Sequence, residues 1–168
     1  MGPFEPLLVA SLVLAACAPA TTAPSPTGSG RAGLVVRHRD GGQQTACVEF
    51  SGNGITGEEL LLQSGLDARL DMGNALGSLV CSIDGEGCAF PEEPCLCECD
   101  APGACGYWGY FGWDEERDSW TYAVLGARLR RLQDGDLDAW VWLDSTGPEV
   151  VAAALPEGIS FDQVCPPE

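Results

Sequence analysis

Alternating apolar and polar positions predict a β-hairpin early in the chain. Residues 34–39 and 45–50 each read as a strand in which apolar and β-branched side chains recur. Between them, Asp40-Gly41-Gly42 supplies the residue types that tight turns favour. The patterned part of the chain therefore opens with two antiparallel strands.

A short helix is predicted next. Thr56 and Glu59 have the spacing of a capping box, in which each side chain bonds the other residue's main-chain N–H, and three leucines follow. The helix should run over about residues 57–64. Gly65 is placed to end it, because glycine adopts the left-handed conformation that closes helices.

The remaining pattern is typical of strands. They are predicted at residues 69–72, 76–83, 106–113, 119–125, 127–132 and 137–143, with a turn at 133–136. In the fifth of them, Arg128, Arg130 and Arg131 are expected to be partly exposed. The tail from Gly147 should wrap back onto the domain. This order of elements indicates a small α+β domain with one short helix on one sheet face.

Aromatic side chains concentrate in the later strands. All five tryptophans and all three tyrosines lie between Tyr107 and Trp142. In the strand over 137–143, aliphatic residues alternate with indoles, so the aliphatic side should face the helix and the indoles should form a stripe on the opposite, open face. Large rigid rings with polar tips suit a ligand platform, and the candidate ligand-binding residues are Trp108, Tyr110, Trp120, Tyr122, Trp140 and Trp142. The alternative is that these rings are core beneath a second layer, formed by the cysteine-rich loop and the C-terminal tail.

The N-terminal segment predicts export. An apolar stretch too short to span a bilayer ends in Leu14-Ala15-Ala16-Cys17, which resembles the lipobox of a bacterial lipoprotein signal peptide. Residues 1–16 are then a signal peptide, Cys17 is the lipidation site, and 17–30 form a flexible tether. A single domain follows over 31–168. The alternative is an ordinary cleaved signal with a chance cysteine.

Composition narrows the partners. The chain has 168 residues, eight arginines, no lysine and a net charge of −17, so it should repel nucleic acid and anionic lipid surfaces. The acids are scattered and show no EF-hand spacing. The lipobox leads us to expect a domain in the bacterial cell envelope, held to the outer face of the plasma membrane through its lipid anchor.

Eight cysteines remain once the lipobox cysteine is set aside, and in an exported domain they predict up to four disulfides. They are Cys47, Cys81, Cys88, Cys95, Cys97, Cys99, Cys105 and Cys165. If the C-x-C-x-C segment is extended, its three side chains point the same way about 6.5 to 7 Å apart, at or beyond the reach of an unstrained bridge. Each of the three should then pair with one of the other five, and the remaining two with each other. The alternative is a thiolate site for zinc or copper(I), but exported thiols tend to be oxidised, and we predict no metal.

Catalytic motifs are missing from the sequence. It contains no G-x-S-x-G elbow, no H-E-x-x-H pair and no phosphate-cradling glycine loop. Its single histidine, His38, lies in a predicted strand between two arginines and should be a surface residue. We therefore expect a binding protein without enzymatic activity and with no certain cofactor.

Several motifs together resemble the transcobalamin C-terminal-like domain over about residues 33–143. They are Tyr107-Trp108-Gly109-Tyr110, Trp120-Thr121-Tyr122, Gly126-Ala127, Asp134-Gly135-Asp136 and Trp140-Val141-Trp142. The resemblance implies a β-grasp-like fold and cobalamin as a candidate ligand. In transcobalamin and intrinsic factor, such a domain forms one half of the cobalamin site and an α-helical barrel forms the other.

The leading interpretation is a lipid-anchored extracytoplasmic binding module that presents a small hydrophobic or corrinoid-like ligand to a membrane transporter for uptake. The alternative is a structural or adhesion module whose aromatic face contacts another protein or a polysaccharide.

Overall fold

The computed structural model describes residues 1–2, 28–73, 77–101, 104–144 and 147–167. Cys17, nearly all of the predicted signal peptide and most of the predicted tether lie outside these ranges. Among the described residues, no helix is long and apolar enough to cross a membrane.

Short helices and strands alternate along the described chain. In order they are β1 (Ser29–Arg37), β2 (Gln43–Ser51), β3 (Ile55–Thr56), α1 (Gly57–Gln63), β4 (Ala68–Asp71), β5 (Leu79–Ile83), β6 (Glu86–Gly87), β7 (Cys99–Ala101), β8 (Ala104–Cys105), β9 (Tyr107–Asp114), β10 (Ser119–Tyr122), β11 (Arg131–Leu132), β12 (Leu137–Leu143), α2 (Pro148–Ala154) and α3 (Phe161–Val164). β1 thus begins two residues before the predicted domain boundary, and two further helices follow the single one that the pattern predicts.

A five-stranded sheet forms the centre, in the order β10-β9-β12-β1-β2. Its neighbours are antiparallel except β1 and β12, which run parallel and place Gly33 beside Leu137 and Arg37 beside Val141. Strands β4, β5 and β6 form a smaller sheet, and β3–β11 and β7–β8 are two short ladders. An opening hairpin whose first strand pairs in parallel with the last strand, plus a helix across one face, confirms the predicted β-grasp-like α+β class.

Both faces of the central sheet are covered. On one face, Leu60 and Leu61 of α1 and Ile83 of β5 pack against Trp140 and the other large rings of β9 and β12. On the other face, residues of α2, α3 and the C-terminal segment pack against the aliphatic side of β12. The prediction that the helix covers the aliphatic side is therefore wrong, since α1 lies on the tryptophan side and later helices cover the other.

The local signals near the start of the domain are confirmed. β1 and β2 form the predicted hairpin. Glu59 donates its main-chain N–H to the Thr56 hydroxyl at 3.2 Å, and the Thr56 N–H donates to the Glu59 carboxylate at 2.8 Å, so the capping box is complete. Gly65 follows the helix with φ of +86°, the left-handed conformation expected of it.

The predicted strand over 127–132 is wrong for most of its length, because only Arg131 and Leu132 pair as β11. The preceding residues form a turn whose carbonyls serve another element. Those of Ala127 and Arg130 accept hydrogen bonds, each 3.1 Å long, from the first two main-chain N–H groups of α1. Arg128 and Arg131 are exposed and Arg130 is partly buried.

Four disulfides staple the domain. They join Cys47 to Cys165, Cys81 to Cys95, Cys88 to Cys97, and Cys99 to Cys105. The chain over 95–98 forms turns and is not extended, but the predicted rule of pairing is confirmed. Each cysteine of the C-x-C-x-C segment bonds one outside it, and the remaining two bond each other.

Candidate functional site

The six aromatic residues predicted to bind a ligand are divided between the two faces of the sheet. Trp120 and Tyr122 lie on the face covered by the C-terminal helices, and the other four lie under α1. Tyr122 is 55% exposed, whereas each of the other five is at most 9% exposed. The prediction of an outward-facing indole stripe is therefore wrong. For those five rings the alternative interpretation, that they are core, is correct.

Strand register brings the four rings under α1 together as two pairs. Tyr110 and Trp140 lie opposite each other in the β9–β12 ladder, and their rings stack with centroids 4.6 Å apart. Trp108 and Trp142 form the next pair and meet edge to face at 5.4 Å. Both are arrangements that aromatic quadrupoles favour, so the pairs contribute packing as well as buried area.

A cleft of about 220 Å³ opens at the edge of the sheet, where β10 ends and leaves β9. Tyr107 and Tyr122 reach it from one face of the sheet, and Trp108, Tyr110 and Trp140 reach it from the other. We call this the edge cleft. Four of the six predicted residues line it, whereas Trp120 and Trp142 do not.

Aliphatic groups complete the walls of the edge cleft. Leu79 and Val80 of β5, Leu96 of the cysteine-rich segment and Ala127 supply them, and Ser78 adds a hydroxyl. Among the described residues, none with a charged side chain lines the cleft. Sequence reasoning missed these residues, because nothing local connects the cysteine-rich segment to the aromatic strands.

The mouth of the edge cleft is partly open to solvent. Tyr122 and Leu96 are both exposed lining residues. Burial raises the pKa of Tyr107, and the nearby hydroxyl of Tyr122 raises it further, so the Tyr107 phenol stays neutral at physiological pH. The mouth is thus apolar with two hydroxyl groups.

A buried carboxylate lies next to the Tyr110 end of the ring pairs. Asp138 is fully buried, accepts a hydrogen bond from the Tyr110 hydroxyl, and pairs with the Arg130 guanidinium, whose Nε lies 2.8 Å from Oδ1. Burial raises the pKa of Asp138 to about 6 against the opposing effect of Arg130. Burial also raises the pKa of Tyr110, and Asp138 adds to that shift. The contacts of Asp138 with Arg130 and Tyr110 hold the turn over 127–130 against the sheet.

The burial of Asp138 follows from its position in the alternating strand β12. In the alternating strand β12, it shares its parity with Trp140 and Trp142, so a buried indole side implies a buried carboxyl. Gly112 lies beside Asp138 in the ladder, and a Cβ there would collide with the Arg130 guanidinium. A glycine at that point in an aromatic strand marks the space that the arginine occupies.

A polar network covers the opposite end of the ring pairs. The guanidinium of Arg39 lies 4.6 Å from the ring centroid of Trp142, and it pairs with Glu98 and, at 3.2 Å, with Asp144. The Trp142 indole N–H donates to Asp144 at 3.0 Å. These contacts place charged side chains over the buried indole of Trp142.

The single histidine belongs to the same network. His38 Nδ1 lies 2.7 Å from a Glu86 carboxylate oxygen, and its ring meets Trp108 edge to face. It is partly buried and not on the open surface. Among the described residues, no group of three or more histidine, cysteine or acidic side chains is placed to hold a metal ion.

Comparisons with known proteins give weak likenesses. No family model matches the chain, and no curated protein matches it. Among solved structures, a candidate metal-binding protein from Ruminococcus gnavus ATCC 29149 is similar with a TM-score of 0.44 and 15% identity, over 69% of this chain and 98% of that one. Haptocorrin in complex with Cbi is similar with a TM-score of 0.45 and 14% identity.

The haptocorrin likeness covers 68% of this chain, which spans about a quarter of haptocorrin's length, 25%. Membership of the transcobalamin C-terminal-like family stays a prediction from the motifs. Neither neighbour indicates which residues of this chain contact a ligand.

Proposed function

We propose that this protein is an extracytoplasmic binding module and that the edge cleft holds an apolar or aromatic portion of its ligand. The observation that carries the proposal is a ring-lined cleft with an exposed mouth, whose described lining residues carry no charged side chain. Binding sites for small molecules are concave, mostly apolar and furnished with few polar groups. The proposed role is that of a binding protein and not of an enzyme.

The size of the edge cleft limits what enters it. At about 220 Å³, it lies below the roughly 300 to 1,000 Å³ typical of sites that enclose a drug-sized ligand. It accommodates one ring or one branched aliphatic group. A corrinoid such as cobalamin would therefore contact it through its periphery, with the rest of the ligand across the mouth or against another protein.

Four disulfides support a location outside the cytoplasm, because such bridges persist in oxidising compartments. We also propose that Cys17 is lipidated and holds the domain at the outer face of the plasma membrane, where a membrane transporter would receive the ligand. Replacing Cys17 with serine should abolish partitioning into detergent-rich phase, since acyl chains anchor by about 0.8 kcal/mol per buried methylene. Unchanged partitioning would refute the anchor without touching the binding proposal.

Ligand binding can be tested by tryptophan fluorescence. The oxidised protein would be titrated with cyanocobalamin, with dicyanocobinamide and with isobutylbenzene, a hydrocarbon of the size of the cleft. Tyr122→Ala should weaken binding of whichever compound binds by roughly tenfold, in the range expected for loss of an aromatic contact, and should leave the melting temperature nearly unchanged.

The control variant is Val150→Ala, which removes exposed apolar surface from α2, outside the lining of the edge cleft. It should bind like wild type. Saturable binding that Tyr122→Ala and Val150→Ala reduce equally would place the site elsewhere, and no binding of any of the three compounds would contradict the proposal.

A second candidate, a protein-interaction module, is favoured by one observation. Val124, Leu125 and Leu129 expose apolar side chains in the loop between β10 and β11, close in sequence to Ala123 and Ala127 of the cleft. Contiguous exposed apolar residues mark interaction sites. Val124→Asp should abolish capture of a partner protein but leave isobutylbenzene binding intact. Capture that persists in this variant would contradict the interaction role.

A further inference from the structure

A second cleft opens at the end of the central sheet where β9 turns towards β10 and where β12 begins. The C-terminal segment that leads into α3 forms its other wall. Its volume of about 650 Å³ lies in the range of roughly 300 to 1,000 Å³ that is typical of sites for small molecules. Glu115, Asp118 and Asp162 are among its lining residues, and we call it the acidic cleft. It shares no described lining residue with the edge cleft.

Rings and aliphatic side chains form the apolar part of the acidic cleft. Trp113 and Phe161 contribute partly exposed rings, and Leu137 and Ile159 contribute aliphatic groups. All four belong to the layer that packs between the sheet and the C-terminal helices. The Trp113 ring also meets the Trp120 ring edge to face, with centroids 5.3 Å apart. Packing within the domain therefore holds this apolar lining in place.

The three acidic side chains of the cleft have no basic partner within the described part of the chain. None of them forms a salt bridge there, and no described residue with a basic side chain lines the cleft. Arg117 lies in the same turn as Glu115 and Asp118, but it pairs with Asp114. The net charge of the chain, −17, adds an attraction for cations that acts over a longer distance.

This combination limits the charge and the size of the ligand. An anion would be repelled by the three carboxylates. A metal ion needs several ligand atoms converging on one point, and no group of three or more histidine, cysteine or acidic side chains among the described residues is placed to provide them. Acidic groups spread around aromatic rings suit an organic cation instead. Phe161 already has one such contact, because the Arg31 guanidinium lies 5.9 Å from its ring centroid.

We infer that the acidic cleft binds a small, free quaternary ammonium cation. The methyl groups of such a cation pack against Trp113, Phe161 and the aliphatic lining, and the ring faces attract its charge. A quaternary nitrogen has no N–H, so the carboxylates offset its charge without having to converge on it. This site is additional to the proposed function and does not depend on the ligand of the edge cleft.

A phosphocholine headgroup carries the same cation but is excluded on charge. Its phosphate would lie a few bonds from the ammonium and would meet the same three carboxylates. The ligand is therefore a free cation and not a lipid headgroup. Phosphocholine should bind more weakly than choline.

The test compares choline with 3,3-dimethyl-1-butanol, which has the same shape and a neutral carbon in place of the nitrogen. Both are titrated into the oxidised full chain at constant ionic strength, and the Trp113 indole signal is followed in ¹H–¹⁵N spectra. Choline should bind roughly tenfold more tightly than the alcohol and should shift the Trp113 signal. Raising the salt from about 50 mM to about 500 mM should weaken choline binding severalfold, because exposed charges are screened.

Glu115→Gln removes one charge of the lining and keeps the length of the side chain. It should weaken choline binding about threefold to fivefold and leave the affinity for the alcohol within twofold. The matched control is Glu116→Gln, which removes a charge from the same exposed turn but not from the lining, and it should bind choline nearly as the wild type does. Both substitutions are on the surface, so the fold should persist in each.

Several results would overturn this inference. They are no binding of choline, equal affinities for choline and the alcohol, equal losses in Glu115→Gln and Glu116→Gln, a Trp113 signal that choline leaves unchanged, and tighter binding of phosphocholine than of choline. None of them bears on the edge cleft. Tyr122→Ala, which tests that cleft, should leave choline binding unchanged.

Discussion

At the scale of single residues, Asp138 is a carboxyl buried inside the domain next to a single cationic partner, Arg130. Its carboxyl is fully buried, and burial raises its pKa to about 6 although Arg130 opposes the shift. Removing one partner of a buried ion pair leaves the other uncompensated, which costs more than the pair itself contributes. Loss of the Asp138 carboxyl would therefore leave the partly buried Arg130 guanidinium without its counter-ion.

Asp138→Ala should lower the free energy of unfolding by about 3 kcal/mol at neutral pH, because it removes the carboxyl that Tyr110 and Arg130 contact. The loss should be larger near pH 4. Because the folded pKa, about 6, lies above the ordinary carboxyl value of roughly 4, the folded state holds a proton that the unfolded state releases. That contribution is complete below the ordinary pKa and disappears as the pH rises through the folded value.

Urea denaturation of wild type and variant at pH 4 and pH 7.5 measures this difference. A loss that shrinks as the pH falls would mean that the Arg130 pairing holds the folded pKa below the unfolded one. The sequence alone marks Asp138 as lying on the indole side of its strand, but its partner comes from a turn that local patterns predict as a strand.

At the scale of elements, α1 illustrates how a local signal and a distant contact combine. The capping box lies within four residues and was predictable from them. Gly57, the first residue of the helix, has a different role, because a Cβ there would collide with the Tyr110 hydroxyl and lie 3.3 Å from the Ala127 carbonyl. The helix can approach the sheet closely only because this residue has no side chain.

Gly57→Ala should therefore destabilise the domain by about 1 to 3 kcal/mol, the usual cost of overpacking, although alanine favours helices over glycine by about 1 kcal/mol. Thermal or urea denaturation gives the sign. Adding Tyr110→Phe removes the nearer of the two colliding Tyr110 atoms and leaves the ring carbon Cζ, 2.6 Å from the position that a Cβ of residue 57 would take. The double variant should therefore lose less than the sum of the two single losses. Strict additivity, or a stabilising Gly57→Ala, would show that the contact is not tight.

The elements that sequence reasoning missed have a shared cause. The hairpin and α1 depend on neighbours in the chain, so local patterns predict them. The turn over 127–130 depends on the first N–H groups of α1, which lie far earlier in the chain. Which layer covers each sheet face depends on α1, β5 and the C-terminal helices. Alternation separates two faces of a strand but does not say which layer covers which face.

At the scale of the whole molecule, one disulfide closes a much longer loop than the others. Cys47 and Cys165 are 118 residues apart, whereas Cys99 and Cys105 are separated by 6. In the chain-entropy description, cross-linking destabilises the unfolded state more for longer loops, by about 5 kcal/mol for the first bridge and about 2 kcal/mol for the second. The long bridge should thus carry more of the stability.

Replacing both Cys47 and Cys165 with alanine should lower the free energy of unfolding by several kcal/mol, measured in guanidinium chloride. The Cys99, Cys105 double variant is the matched control and should lose roughly half as much or less. Equal losses would mean that residual structure in the unfolded chain, and not loop length, sets the effect.

Alkylation without reductant should label none of the eight cysteines in the wild-type domain.

The pairing of β1 with β12 has a consequence for the order of events in biogenesis. The two central strands come from opposite ends of the domain, roughly a hundred residues apart, and neither β9 nor β10 has a place in the sheet until β12 is present. Long-range pairings form slowly because loop closure precedes any gain. A chain emerging N-terminus first therefore cannot complete the central sheet until residue 143 is free, which would suit the export proposed above.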